Sequence, residues 1–211
     1  MKVAVVDYGM GNLRSVSKAI EHVAPSASVL VTSDPGVVSS CDRVVFPGQG
    51  AMRDCMREMD DRGLRPAVLA AARAKPFLGI CIGLQMLFQS SEEGETAGLG
   101  VFPGRVTRFP ADKMVDGNGA RLKVPHMGWN RVSQTRNHPI WSGIESGTRF
   151  YFVHSYYAPG DTPEIVAGRT EYGICFTSAV ARDNIFAVQF HPEKSHTAGL
   201  RLLANFIQWN P

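Results

Sequence analysis

The chain has 211 residues, 44% of them hydrophobic and 19% charged, a composition typical of a globular protein and not of a disordered chain. Its net charge is +3 and its basic residues are scattered, which argues against a nucleic-acid-binding protein. The length favours one domain over residues 1–211. No apolar stretch reaches membrane-spanning length, and the start, MKVAVVDYG, is too weakly apolar for a signal peptide. We therefore expect a cytoplasmic protein that does not bind membranes.

The first half of the chain alternates between strand-like and helix-like segments. Apolar residues recur at helical spacing between Leu13 and Val23. Short apolar runs predict strands at 3–7, 28–32, 43–46 and 76–80, and further helices are predicted at 52–59, 64–74 and 84–88. Strands that are apolar throughout and alternate with helices indicate an α/β fold whose mostly parallel sheet is flanked by helices.

The second half of the chain is rich in strands. Strands are predicted at 105–109, 129–132, 149–155, 164–170, 174–180 and 185–190, with few helices between them. This pattern predicts an antiparallel extension of the same sheet. Residues 111–120 are expected to form an exposed loop, and a last amphipathic helix is expected to be capped near Ser195.

A cysteine framed by glycines lies where a predicted strand leads into a helix. The segment Gly79-Ile80-Cys81-Ile82-Gly83 has the Gly-x-nucleophile-x-Gly pattern of a nucleophile elbow. In such an elbow the glycines avoid clashes at a sharp turn, and the nearby helix N-terminus favours a thiolate. The alternative is a cysteine that only packs in the core. The other three cysteines show no paired spacing and are expected to be free thiols of the core or surface.

A histidine and a glutamate two residues apart follow the last predicted strand. In an extended backbone the side chains of His191 and Glu193 point to the same side, and Pro192 ends the strand. A carboxylate beside an imidazole fixes its tautomer and stabilises the imidazolium, as a nucleophile's base requires. The alternative is a strand end with a solvated carboxylate. The other histidines show no comparable arrangement in the sequence.

The loop Pro47-Gly48-Gln49-Gly50 follows the third predicted strand. Its backbone N–H groups, at Gln49 and Gly50, and that of Ile82 after the cysteine are candidate donors to an oxyanion. Taken alone, a Pro-Gly pair is also typical of an ordinary turn. Together with the elbow and the histidine–glutamate pair, the loop favours acyl transfer through a thioester.

Three motifs together identify a family resemblance. GICIGLQ, PGQG and QFHPEKS resemble the class I (triad-type) glutamine amidotransferases, and the likeness extends from DYGMGN to HPEKS. PHMGWN and YFVHSYY narrow the resemblance to the glutaminase subunits of imidazole glycerol phosphate synthases, which act in histidine biosynthesis. The resemblance implies the flavodoxin-like fold of that family, with no cofactor and no metal.

The resemblance also implies roles for individual residues. Cys81 would be the nucleophile, and His191 with its orienting residue Glu193 would be the base and acid. Glutamine would be held by Gly50, Gln85, Ser155 and Tyr156. The family usually has a small apolar residue where this chain has Gln49. This departure concerns how the loop 47–50 reorients to complete the oxyanion hole.

The resemblance further implies a partner. Ammonia would pass to a (β/α)₈-barrel cyclase subunit in a heterodimer, and Asn12, Trp129 and Lys194 are the candidate interface residues. The cyclase would use the ammonia to form imidazole glycerol phosphate and AICAR from PRFAR.

Three other functions remain open from the sequence. One is a glutaminase that serves a different synthase, and another is a stand-alone cysteine hydrolase of the γ-glutamyl type. The third is a nucleotide-binding module, because residues 9–14 (GMGNLR) imitate the dinucleotide fingerprint and Asp34 follows the second strand. Arg14, however, occupies the position of the third glycine of that fingerprint. The sequence contains neither a paired CxxC spacing nor an HExxH spacing, so we expect no metal site.

Overall fold

The computed structural model describes residues 1–160 and 162–211. Its strands are β1 (Lys2–Val6), β2 (Ser28–Thr32), β3 (Arg43–Gly48), β4 (Phe77–Cys81), β5 (Phe88–Ser91), β6 (Thr96–Ala97), β7 (Phe102–Arg108), β8 (His126–Gln134), β9 (Thr148–His154), β10 (Tyr156–Tyr157), β11 (Val166–Tyr172), β12 (Ile174–Arg182) and β13 (Ile185–Val188). Its α-helices are α1 (Leu13–Val23), α2 (Pro35–Ser40), α3 (Met52–Asp61), α4 (Arg65–Ala74), α5 (Ile82–Gln85) and α6 (His196–Gln208). Short 3₁₀ helices lie at Glu93–Glu95, Pro139–Trp141 and Pro192–Lys194.

The described residues form a large mixed sheet with strand order β2-β1-β3-β4-β13-β12-β11-β8-β9. The strands from β2 to β13 pair in parallel, and the strands from β13 to β9 pair antiparallel. The structure therefore confirms the predicted fold class, a mostly parallel first half with an antiparallel extension. Strands β3, β4 and β13 are buried along their whole length, which explains why they read as continuous apolar runs.

The parallel half brings three chain segments to one edge of the sheet. β4 pairs in parallel with β3 on one side and with β13 on the other, so the segments that follow these strands leave the sheet at the same end. These segments contain the cysteine elbow, the glycine-rich loop and the histidine–glutamate pair. Functional groups of open α/β sheets collect at this carboxyl edge.

Two expectations from the sequence differ from the structure. The helix predicted at 84–88 is confirmed only in part: α5 covers Ile82–Gln85, so it begins and ends earlier than predicted, and Phe88 begins β5. A second sheet of order β10-β7-β5-β6 accounts for this, because Phe88 pairs in register with Phe102 and both rings are buried. Ser195 does precede α6, but its hydroxyl donates to the His191 carbonyl and accepts from the Tyr151 N–H, so it does not cap the helix.

The loop at 111–120 also departs partly from the expectation. Most of its residues are exposed, as predicted, but Met114 is buried against the core. In the described part of the chain, no helix combines the length and apolar character needed to cross a membrane.

Candidate active site

Cys81 lies at a strained turn between β4 and α5. Its backbone has φ 56° and ψ −110°, a conformation that L-residues rarely adopt and that is typical of functional turns. Glycines on both sides allow the turn. A Cβ at residue 79 would lie 2.8 Å from the Ala187 methyl group, and one at residue 83 would overlap the Phe46 carbonyl oxygen. The segment 79–83 therefore has the backbone geometry of a nucleophile elbow, as its sequence pattern predicted.

His191 and Glu193 form a buried pair beside this turn. Nδ1 of His191 lies 2.9 Å from Oε1 of Glu193, and the two side chains are 2% and 1% exposed. The backbone that joins them differs from the prediction: His191 is extended, but Pro192–Lys194 form one turn of 3₁₀ helix. The proline, which was expected only to end the strand, also starts this turn, and the turn brings the carboxylate back to the imidazole.

The electrostatics of His191 depend on its neighbours. Burial alone would lower its pKa, but the Cys81 thiolate and the Glu193 carboxylate outweigh burial and raise the pKa. Nε2 of His191 has no hydrogen-bond partner among the described residues. This nitrogen is therefore free to exchange a proton with a reacting group, while Nδ1 is held by the carboxylate.

The glycine-rich loop runs beside the elbow. β3 extends through Gly48, which pairs in register with Cys81. The Tyr8 hydroxyl donates to the Pro47 carbonyl at 2.6 Å, and the Cys55 thiol donates to the Gln49 carbonyl at 3.3 Å. Burial raises the pKa of Cys55 to about 12, so its thiol stays neutral and remains a donor. Two buried donors thus hold the carbonyl groups of the loop, and Gln49 lies in the lining of the cleft.

A cleft of about 430 Å³ opens onto the elbow. It is lined by Gln49, Gly50, Cys81, Ile82, Gln85, Glu93, Pro125, Val153, His154, Ser155, Tyr156, His191 and Lys194. The structure thus brings together the predicted nucleophile, base, loop and glutamine-binding residues. Oε1 of Gln85 is buried and lacks a hydrogen-bond partner within the described residues, so it is available to a ligand.

A buried pair of histidines, one of which lines the cleft, was not found from the sequence. Nδ1 of His126 lies 3.0 Å from Nε2 of His154, whose Nδ1 lies 2.7 Å from the Tyr156 carbonyl oxygen. Burial lowers the pKa of His126 to about 4 and that of His154 to about 3, so both are neutral at pH 7. They are far apart in sequence and meet only because β8 pairs with β9 in register.

Gln189 was also missed. It is fully buried, and its Nε2 lies 3.7 Å from the Sγ of Cys81. The available signal was its position two residues before His191, because an extended continuation of the strand predicted at 185–190 would place both side chains on one side.

The predicted interface residues lie on the surface. Trp129 is 43% exposed and its ring stacks on His196, with centroids 5.0 Å apart. Lys194 lines the cleft and its Nζ lies 6.0 Å from the Tyr151 ring centroid. Asn12 immediately precedes α1 and is partly buried. Over the described ranges, no cluster of His, Cys, Asp and Glu side chains has the arrangement of a metal site.

Comparison with known families assigns the chain to a family. The profile of the family described as Glutamine amidotransferase class-I matches residues 4–209. The chain belongs to the class-I glutamine amidotransferase family.

Two curated relatives of this amidotransferase share most of its sequence. The imidazole glycerol phosphate synthase subunit HisH of Thiobacillus denitrificans is 68% identical over 209 residues, which cover 99% of this chain and 92% of the relative. The subunit of the same name from Nitrosomonas europaea is 63% identical and covers 99% of both chains.

Solved structures share the fold at low identity. The glutaminase domain of Trypanosoma brucei CTPS superimposes with a TM-score of 0.67 at 20% identity and covers 100% of this chain and 95% of that chain. A crystal structure of a glutamine amidotransferase gives a TM-score of 0.69 at 17% identity, with 98% and 97% covered.

The nucleotide-binding alternative is replaced by this family assignment, and the local structure gives the reason. The Asp34 carboxylate accepts from the Gly36 N–H at 2.7 Å and so caps α2. The space above Gly9 is occupied by the Arg62 guanidinium, whose nitrogen would lie 2.6 Å from a Cβ at residue 9.

Proposed function

We propose that this amidotransferase is the glutaminase subunit of an imidazole glycerol phosphate synthase in histidine biosynthesis. The observation that carries the chemistry is the strained Cys81 beside the buried His191–Glu193 pair at one cleft. The pathway is supported by the 63–68% identity to HisH subunits over nearly the whole chain. The residues 1–211 act as one glutamine amidotransferase type 1 domain.

The first half of the reaction is acylation of Cys81. Its thiolate attacks the side-chain amide carbon of glutamine, and the S–C bond forms as the carbonyl oxygen becomes an oxyanion. Backbone N–H groups of Gln49, Gly50 and Ile82 stabilise this oxyanion. Imidazolium His191 donates its Nε2 proton to the amide nitrogen, the C–N bond breaks, and ammonia leaves.

The second half of the reaction is hydrolysis of the thioester. Neutral His191 accepts a proton from water through Nε2, and the water oxygen attacks the thioester carbon. The S–C bond then breaks, which releases glutamate and restores the Cys81 thiolate. Glu193 accepts a hydrogen bond from Nδ1 at 2.9 Å throughout, so it keeps the tautomer and stabilises the imidazolium.

The substrate is held by groups that surround the cleft. Gln85 lies beyond the elbow with a free buried oxygen, and Gly50, Ser155 and Tyr156 line the opening. We assign these four residues to glutamine binding. The Gln85 amide and the Tyr156 carbonyl are held by hydrogen bonds before substrate arrives, which reduces the entropy lost on binding.

The ammonia is passed to a (β/α)₈-barrel cyclase subunit in a heterodimer, which forms imidazole glycerol phosphate and AICAR from PRFAR. The interface includes Asn12, Trp129 and Lys194. Support comes from the exposed apolar surface around Trp129, where Met127 is 62% exposed. Lys194 belongs to the same turn as Glu193 and lines the cleft, so a partner that contacts Lys194 can move the turn that carries the Glu193 carboxylate.

The proposal is tested by measuring glutamate release from glutamine by the purified chain, alone and with the cyclase subunit and its phosphoribosyl substrate. Strong stimulation by the loaded cyclase is expected. Equal and substantial turnover in both mixtures would make the chain an autonomous hydrolase, and no turnover in either would overturn the proposal. Cys81→Ser is expected to abolish glutamate formation, whereas Cys175→Ser, which changes an exposed thiol, is the matched control.

A further inference from the structure

We propose that Gln189 is a catalytic residue: its side-chain amide donates a hydrogen bond to the Cys81 sulfur and favours the thiolate. This inference rests on the proposed function, in which Cys81 is the nucleophile. Nε2 of Gln189 lies 3.7 Å from Sγ, within range for an N–H donor to sulfur, and the Gln189 side chain is fully buried. None of the sequence motifs assigned a role to this residue.

The backbone holds Gln189 in place. Its N–H donates to the Ser178 carbonyl at 2.9 Å, and two residues later the His191 N–H donates to the Tyr151 carbonyl at 2.9 Å. β13 ends at Val188, and the chain bends at Gln189 and Phe190 before it reaches His191. The neighbouring strand β4 ends at Cys81, so the Gln189 side chain, just beyond β13, reaches the sulfur.

The orientation of the Gln189 amide follows from its neighbours. The Tyr156 carbonyl oxygen is only an acceptor, so the Gln85 group that lies 3.0 Å from it is the NH₂ group. The same NH₂ group lies 2.9 Å from the Gln189 amide, which must present its oxygen there. The Gln189 nitrogen therefore faces the sulfur. A backbone carbonyl thus fixes two amide orientations in series.

The Tyr156 carbonyl is itself fixed from the other side. His154 must carry its proton on Nδ1 to donate to this oxygen, which leaves Nε2 as the acceptor for the Nδ1–H of His126. Nε2 of His126 then accepts from the Asn130 amide at 3.3 Å. Both histidines are neutral because they are buried, so the directions of these hydrogen bonds do not change near neutral pH.

An amide donor differs chemically from the imidazolium beside it. His191 gives up its proton during acylation, whereas Gln189 keeps its N–H through the whole cycle. Its hydrogen bond stabilises the thiolate before attack and again when the thiolate leaves the thioester. A neutral thioester sulfur is a weaker acceptor, so the stabilisation is largest when the sulfur is charged.

The test measures alkylation of Cys81 by iodoacetamide against pH, without substrate, in a Cys175→Ser background. Peptide mapping identifies the modified cysteine. Gln189→Met removes the donor at similar volume and is expected to raise the midpoint of the profile by about one pH unit. The plateau rate at high pH is expected to be retained, because a more basic thiolate is intrinsically more nucleophilic. A structural disturbance alone would lower the plateau instead.

The matched control is Gln134→Met. The Nε2–H group of Gln134 also donates to a backbone carbonyl, that of Ile144, at 2.7 Å, but Gln134 lies at the end of β8 and not beside Cys81. This substitution is expected to leave the alkylation profile unchanged. An equal shift in both variants would overturn the assignment of a specific donor.

A second variant keeps the inference testable if Gln189→Met does not fold. Gln85→Met removes the group that locks Gln189 without adding charge, so the Gln189 amide can turn either end toward the sulfur. The midpoint is expected to rise, but by less than in Gln189→Met. If Cys81 is reactive but the midpoint of its alkylation profile is the same in wild type and in both variants, the Gln189 assignment alone is overturned. A Cys81 that reacts no faster than the buried Cys55 thiol would overturn the nucleophile assignment itself.

Discussion

Gly83 packs against the Phe46 carbonyl so closely that a Cβ at residue 83 would overlap the oxygen. The contact joins the first turn of α5 to β3, and β3 leads directly into the Pro47–Gly50 loop. The elbow and the loop are therefore held at a fixed spacing by a contact that only glycine permits.

We expect Gly83→Ala to destabilise the fold by about 3 kcal/mol and to reduce glutaminase activity, because the methyl group must displace a fully buried strand. Urea denaturation and glutamate release measure the two effects. Gly117→Ala is the control, since residue 117 has open space around its Cβ position and is expected to behave as wild type. A Gly83→Ala protein with unchanged stability would contradict the close packing.

We expect Glu193→Gln to keep the fold and lower kcat by about 10³-fold or more, because an amide cannot favour the imidazolium or fix its tautomer as a carboxylate does. Steady-state glutamate release measures the loss. In the same assay Glu145→Gln, which changes an exposed carboxylate, is expected to have no effect. A folded Glu193→Gln protein with normal kcat would remove Glu193 from the mechanism.

We expect the stability to fall as the pH is lowered from 6.5 toward 5, because His126 and His154 are kept neutral in the folded state. Their pKa values are lowered by burial to about 4 and about 3, whereas the unfolded side chains take up protons near pH 6.5. The unfolded chain thus binds more protons in this range, and the free energy of unfolding falls with decreasing pH. The slope is on the order of 1 kcal/mol per pH unit for each histidine. Urea titrations at several pH values measure it.

His126→Gln is the variant that checks this pH dependence. It is expected to reduce the slope between pH 6.5 and 5, while His22→Gln, which changes an exposed histidine, leaves the slope unchanged. His191 does not add to the slope in this range. Its pKa is raised, so it stays protonated in the folded chain over this range while the unfolded side chain is only partly protonated just below pH 6.5, and its contribution has the opposite sign. An unchanged slope in His126→Gln would show that other groups cause the acid sensitivity.

We expect Trp129→Ala to weaken binding of the cyclase subunit by about 2 kcal/mol, since exposed tryptophans are frequent anchors of interfaces. Titration calorimetry with the cyclase measures the affinity. Val31→Ala is the control, because Val31 is 45% exposed on the edge strand β2. If wild type and Trp129→Ala bind the cyclase subunit with equal affinity, Trp129 is not an anchor of the interface.

Local patterns in the sequence predicted the parts of the site that depend on neighbouring residues. The elbow could be predicted because Gly79 and Gly83 frame Cys81 within five residues of chain, so the pattern is complete in one short segment. His191 and Glu193 lie two residues apart, so their contact depends on one short segment, although its backbone is a 3₁₀ turn and not an extended strand.

The sheet could also be predicted to a useful degree. Buried parallel strands must be apolar on both faces, so β1, β3 and β4 stand out in the sequence. The second sheet could not be predicted, because Phe88 continues an apolar run that suits a helix as well as a strand. Its pairing with Phe102 decides between them, and this pairing joins residues that no local pattern connects.

The sequence by itself thus determined the fold class, the chemistry and the family, since these depend on motifs whose residues are close along the chain. The tertiary structure decided which buried groups support them. Gln189, Gln85 and the His126–His154 pair belong to four separate segments, and their hydrogen bonds form only when β4, β8, β9 and β13 take their places. A hydrogen bond forms only when its donor and acceptor lie within a few tenths of an ångström of the optimal distance, and packing sets that distance between residues that are remote in sequence.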